Sequence, residues 1–224
     1  MGVLTFMHKK LHILLVGTAC ALVPLSVHAR LSFLGGVELV GGGEIVSYDA
    51  ASGSLLTTVS SGTSHQVGIY SLGGDGQLSG YRTVDLSTVF GVDGSSTFNL
   101  SSVAADPLGR GFGVASLIPT DRENTVGKVA LFNISTGALI QTLDVGYHPD
   151  SVSFTPDGSR LLVANEGEFI STTATQRAGS VSVVNLGGAT LGSLASLTNA
   201  VVTDVNFTTS LASGVTLDGV RNAR

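Results

Sequence analysis

The residues that could carry chemistry crowd into one stretch. In HPDSVSFTPDGSRLLVANEGE, His148 to Glu168, an imidazole and the Asp150 carboxylate stand at one end, and the Glu166 and Glu168 carboxylates stand at the other. Imidazole titrates near neutrality and ligates metals, and carboxylates supply the oxygens that hard cations take. The two ends meet only if the residues between them form a hairpin. TPDGSR is suited to that turn: Pro156 presets a negative φ, Asp157 can hydrogen-bond within its own turn, and Gly158 tolerates the left-handed exit. Residues 151–154 and 161–165 then pair antiparallel, so the start of the first strand and the end of the second share one sheet edge.

This topology predicts His148, Asp150, Glu166 and Glu168 at one rim, opposite Asp157, as the ligand-binding candidates. Asp150, Glu166 and Glu168 are the candidate ligands for a divalent cation such as calcium. Three carboxylates fall short of the about six to eight oxygens calcium takes, so other parts of the protein would have to supply the rest. A solvated acidic rim that keeps the protein soluble is the competing reading.

Other chemistry finds little support. There is no GxSxG elbow and no HExxH, and the single cysteine, Cys20, lies in the N-terminal apolar run. His65 reads as the beginning of a strand, and no catalytic residue is assigned. The glycine-rich GGDG at 73–76 and the STG at 135–137 lack the GK[ST] ending of a phosphate loop and read as turns.

Residues 1–29 read as a signal peptide: HKK is followed by an apolar run over 11–23, and Val27 and Ala29 flank the cleavage point. That run is shorter than the ~18 residues a membrane span needs. Removing Lys9 and Lys10 from 11 basic residues leaves 9 against 16 acidic ones, a formal charge of −7. No basic patch is present to neutralise phosphates, so nucleic acid is excluded as a partner. The expected location is secreted, periplasmic or at the cell surface, with no transmembrane span after cleavage.

The elements that must position the rim are strands. Charged residues make up only 12%, there are 30 glycines and no tryptophan, and short apolar runs alternate between turn residues, which gives an all-β class. Three turn-then-strand segments, DAASGSLLTTVS, DPLGRGFGVAS and DGSRLLVAN, begin at Asp49, Asp106 and Asp157, 57 and then 51 residues apart. A second element keeps step, with Val67, Val129 and Val181 opening equivalent strands. A period of about 50 residues carrying about four antiparallel strands is the mark of propeller blades. The expected organisation is a leader over 30–40, then an arc of three four-stranded blades over 41–224, with 191–224 the least regular part. Three blades are fewer than the about four to eight that close a ring, which predicts an incomplete propeller, with Arg224 ending a fragment.

Four segments, GGGEIVSYDAASGSLLTTVS, GKVALFN, HPDSVSFTPDGSRLLVANEGE and GSVSVVNL, together with the closing DGVRNAR, resemble the choice-of-anchor I family of secreted bacterial β-propeller proteins. They are also similar to the wider YVTN-type and lactonase-like propellers. The resemblance covers residues 41–221 and implies an exported protein tethered by varied C-terminal anchors. TQRAGSV departs from the family pattern, which has Asp-Pro-Glu before Gly-Ser-Val. Two functions are compatible with the sequence. One is a non-enzymatic module binding an extracellular protein, glycan or small molecule. The alternative is a metal-dependent hydrolase of the alkaline phosphatase, phytase-like or lactonase-like type.

Overall fold

The computed structural model describes residues 43–61, 64–90, 98–168, 177–197 and 203–206. The segments read from sequence as a signal peptide (1–29) and a leader (30–40), and the closing DGVRNAR, lie outside the described residues. Twelve strands are described: β1 Gly43–Asp49, β2 Ser54–Ser61, β3 Ser64–Leu72, β4 Leu78–Val84, β5 Phe98–Ala105, β6 Phe112–Pro119, β7 Lys128–Asn133, β8 Leu139–Asp144, β9 Pro149–Phe154, β10 Arg160–Asn165, β11 Ser180–Asn185 and β12 Thr203–Asn206. They form three antiparallel four-stranded sheets, β1 to β4, β5 to β8 and β9 to β12, each pairing its strands in chain order.

The repeat read from sequence maps onto these sheets. Asp49 ends the first strand of its sheet at the turn into the second, Asp106 and Asp157 sit in the corresponding turns, and Val67, Val129 and Val181 all lie on third strands. The turns close through side chains. Asp49 accepts from Ala51 N–H (3.3 Å) and Ser52 Oγ (2.5 Å), and Asp157 accepts from Ser159 N–H (3.1 Å), as Asx turns do. Gly158 takes the left-handed φ of 61° that the exit requires.

The middle sheet is apolar on both faces. Every residue of β6 is buried, because alternate side chains enter different cores. Ala115, Leu117, Ala130 and Phe132 pack against Leu56, Val67 and Ile69 of the first sheet. Phe112, Val114, Val129 and Leu131 pack against Leu161, Val163 and Val184 of the third. Over its described side chains the third sheet is less covered: β10 alternates exposed and buried, and Val181 and Val183 are partly exposed where their counterparts Val129 and Leu131 are fully buried.

First strands of successive sheets lie side by side, β1 against β5 and β5 against β9. Hydroxyls bridge them. Ala105 N–H donates to Ser47 Oγ (2.9 Å), Val152 N–H to Ser102 Oγ (3.3 Å), and Ser101 Oγ to the Pro149 carbonyl (2.5 Å). Such bonds satisfy backbone groups that would otherwise lack a partner where neighbouring blades splay apart.

Candidate functional site

The β9–β10 hairpin carries its turn at one end and the candidate residues at the other. His148 precedes β9 and has φ 55°, the one positive value among described non-glycine residues. A left-handed residue is uncommon, and one placed before a proline more so. The surroundings hold it there: Glu166 N–H donates to the His148 carbonyl (2.9 Å), and Gly167 N–H donates to the Tyr147 carbonyl (3.1 Å). Gly167 is itself left-handed, and a Cβ there would lie 2.2 Å from the Arg177 carbonyl oxygen, so the middle position of EGE admits only glycine.

His148 Nδ1 lies 2.9 Å from Glu168 Oε2. A carboxylate only accepts, so Nδ1 carries the proton and, in the neutral ring, Nε2 presents its lone pair. Glu168, 10% exposed at its side chain, is held in turn by Arg122 Nε at 3.2 Å. His148 Nε2 faces Glu166 Oε2 at 3.8 Å. Asp150 stands exposed on β9, with no hydrogen bond or ion pair to these residues. The structure therefore brings His148, Glu166 and Glu168 together and leaves Asp150 apart from their network. Among the described residues, no group of three or more His, Cys, Asp or Glu is arranged to hold a metal ion.

Three contributors are not evident in the sequence. Arg122 and Glu123 come from the β6–β7 loop, and Arg177 comes from the β10–β11 connection. Arg177 Nε donates to the Glu123 carbonyl (2.8 Å), its guanidinium lies 4.8 Å from the Tyr147 ring centroid, and its backbone exchanges hydrogen bonds with Glu168. The only trace of this was TQR, where the family pattern departs. Beneath the rim, Asn165 is 1% exposed and donates to Ser180 Oγ (3.1 Å) and Ser182 Oγ (2.9 Å). Gly146 passes so close that a Cβ would lie 2.6 Å from Asn165 Cγ.

His65 opens β3 beside its cross-strand partner Ser60, with Nδ1 3.0 Å from Ser60 Oγ. Among the described residues no carboxylate bonds that ring, the third group that an activated Ser–His nucleophile uses. A groove of about 440 Å³ runs along the first strands and is lined by Ile45, Ser47, Ser102, Val103, Ser151 and Phe154 among others, none of them charged.

Comparison with solved structures places this architecture. A candidate 6-phosphogluconolactonase from Bacteroides fragilis aligns with TM-score 0.50 and 19% identity over 75% of this chain and 39% of its own. The WD40 domain of Toxoplasma gondii coronin aligns with TM-score 0.46 and 14% identity over 69% of this chain and 34% of its own. The chain thus spans about two-fifths of the length of the first of these structures, and at such identity the likeness shows fold alone. None of the curated proteins compared with it matches. The family model of the choice-of-anchor I domain matches residues 44–223.

Proposed function

Because the chain belongs to the choice-of-anchor I family and carries a propeller-type fold, we propose that it acts as an exported binding module whose ligand contacts the rim around His148. The observation that carries this reading is the joining of three loops. Arg122 and Glu123 from one, Tyr147 and His148 from the next, and Glu166, Glu168 and Arg177 from the third form one hydrogen-bonded and stacked network. Loops fixed in advance lose less entropy on binding. A non-glycine residue kept in a costly backbone conformation fits a site under functional constraint.

The test uses the exported product, whose N-terminus should be Arg30 or Leu31. It is immobilised beside a Glu168→Gln variant and exposed to an extracellular protein fraction, a glycan array and a small-molecule panel. A ligand retained by the native chain and lost by the variant supports the reading. No retention, or equal retention by both, refutes it.

A second reading, metal-dependent hydrolysis of phosphoesters or lactones, draws support from the same carboxylate-held imidazole, which suits a base or a metal ligand. Turnover of such substrates with added metal, abolished by chelator, would replace the binding reading.

A further inference from the structure

The outer faces of the first and third sheets repeat, uncovered, the two faces that the middle sheet buries. With Asp49 and Asp106 at matching turns, the strand registers align Val46 with Val103 and Tyr70 with Phe132. Val103 and Phe132 are 3% and 0% exposed in the core between the first two sheets, whereas Val46 is 65% exposed and Tyr70 is partly exposed. Tyr48 shares the cross-strand row of Tyr70, and Tyr81 stacks on Tyr70 with ring centroids 4.9 Å apart; Tyr48 and Tyr81 are both exposed. At the other end, Leu162, Val181 and Val183 hold the places of Val114, Val129 and Leu131. Those of the middle sheet are fully buried, and those of the third are exposed or partly exposed. Arrays of repeats end on polar capping faces when nothing covers them, and at these positions both ends are apolar instead.

We propose that the outer face of the third sheet docks on the outer face of the first sheet of a second copy of this chain, so that two copies close head to tail into one ring. The surface that fits each end is the one the chain carries at its other end. A face of the Leu162 kind already packs on a face of the Val46 kind twice within the chain, where Leu56, Val67 and Ile69 meet the second sheet and where Val114, Val129 and Leu131 meet the third. The hydroxyls continue the same series. Ser47 and Ser102 each accept a backbone N–H from the first strand of the next sheet. On β9, Val152 faces the second sheet, so Ser151 and Ser153 on either side of it point onward, and both are exposed. Three described sheets per copy give a ring of six, within the about four to eight blades that close. Head-to-tail contacts close a ring when the rotation between copies completes a circle. Closure follows mass action, so at the dilution of an unfolding scan the copies part and Leu162 is exposed.

The experiment is analytical ultracentrifugation of the full chain at rising concentration, which should pass from the mass of one chain to that of two and stop there. Val46→Glu and Leu162→Glu each place a charge at an exposed strand position on one of the two faces, and each should hold the chain at one copy, because burying an unpaired charge is costly. An equimolar mixture of the two variants should regain a two-chain species, since the first keeps an intact third-sheet face and the second an intact first-sheet face. A native chain that stays single at every concentration, a pair that survives either variant, a mixture that stays single, or growth beyond two copies would overturn the inference. If a variant fails to fold, hydroxyl-radical footprinting of the native chain decides: concentration must protect Tyr48, Tyr81 and Leu162 together, and any other pattern refutes head-to-tail closure.

Discussion

Replacing Arg110 by methionine should be the most damaging single change on the hairpin-turn rim. Asp106 is 1% exposed at its side chain and Arg110 is 16% exposed, and they meet through a two-pronged pair, NH2 to Oδ1 at 2.6 Å and Nε to Oδ2 at 3.0 Å. The same guanidinium reaches the next blade, donating to the Gly158 carbonyl (2.8 Å) and the Ala189 carbonyl (3.0 Å), and it lies 4.9 Å from the Phe112 ring centroid. Methionine keeps the apolar stem over Phe112 and removes the charge. Asp106 then remains buried with only the backbone N–H of residue 110 on its carboxylate.

Leaving one charge of a buried pair uncompensated costs about 3–5 kcal/mol. The partial exposure of Arg110 argues for the lower end, about 3 kcal/mol. At about 2–4 °C per kcal/mol for a chain of this size, the melting temperature should fall by about 6–12 °C. Urea unfolding followed by circular dichroism measures the first quantity, and a thermal scan measures the second. The double variant Asp106→Asn, Arg110→Met should regain much of the loss, because neither buried charge remains. A loss below about 1 kcal/mol in the single variant, or additive losses in the double one, would refute the clamp.

Adjacent leucines on β10 offer a paired test: Leu161→Ala should cost about 2–5 kcal/mol, because Leu161 is fully buried, and Leu162→Ala, at 37% exposure, should stay within about 0.5 kcal/mol; equal losses would mean that β10 has both faces covered in solution. Hydrogen bonds from the Thr155 hydroxyl, and then from Ser159, lower the Asp157 carboxyl to about 2. Its contribution to stability should therefore be complete above about pH 4 and be lost as pH falls toward 2, an acid loss that Asp157→Asn should not show when unfolding is followed against pH.

Much of the architecture is legible in the sequence, because a repeated turn fixes a repeated hairpin. The spacing of Asp49, Asp106 and Asp157 locates three turns, and TPDGSR alone is enough to place His148 beside Glu166 and Glu168. The roles within the repeat are not legible. Asp49 and Asp157 accept bonds from their own turns, while Asp106 clamps an arginine that reaches residues 48 and 79 positions later. Arg122 and Arg177 escape notice for the same reason, since each acts across loops that come together only after the sheets have stacked. Nor does RLLVAN announce that Leu161 is buried and Leu162 exposed, because both are apolar and only the presence of a neighbouring blade decides between them.

The two ends of the hairpins differ in how their carboxylates are employed, and this difference supports the proposal that the ligand contacts the rim around His148. At the turn end, each repeated aspartate is satisfied within about four residues of itself, by Ser52, Arg110 or Ser159, so ligand binding there would have to break a bond that shapes the turn. At the other end the partners come from separate loops. Glu168 is spent on His148 and Arg122, and this leaves Nε2 and Glu166 facing each other without a direct hydrogen bond at 3.8 Å. Nε2 and the half-exposed Glu166 carboxylate are therefore the polar atoms of this rim that no direct hydrogen bond between them ties down.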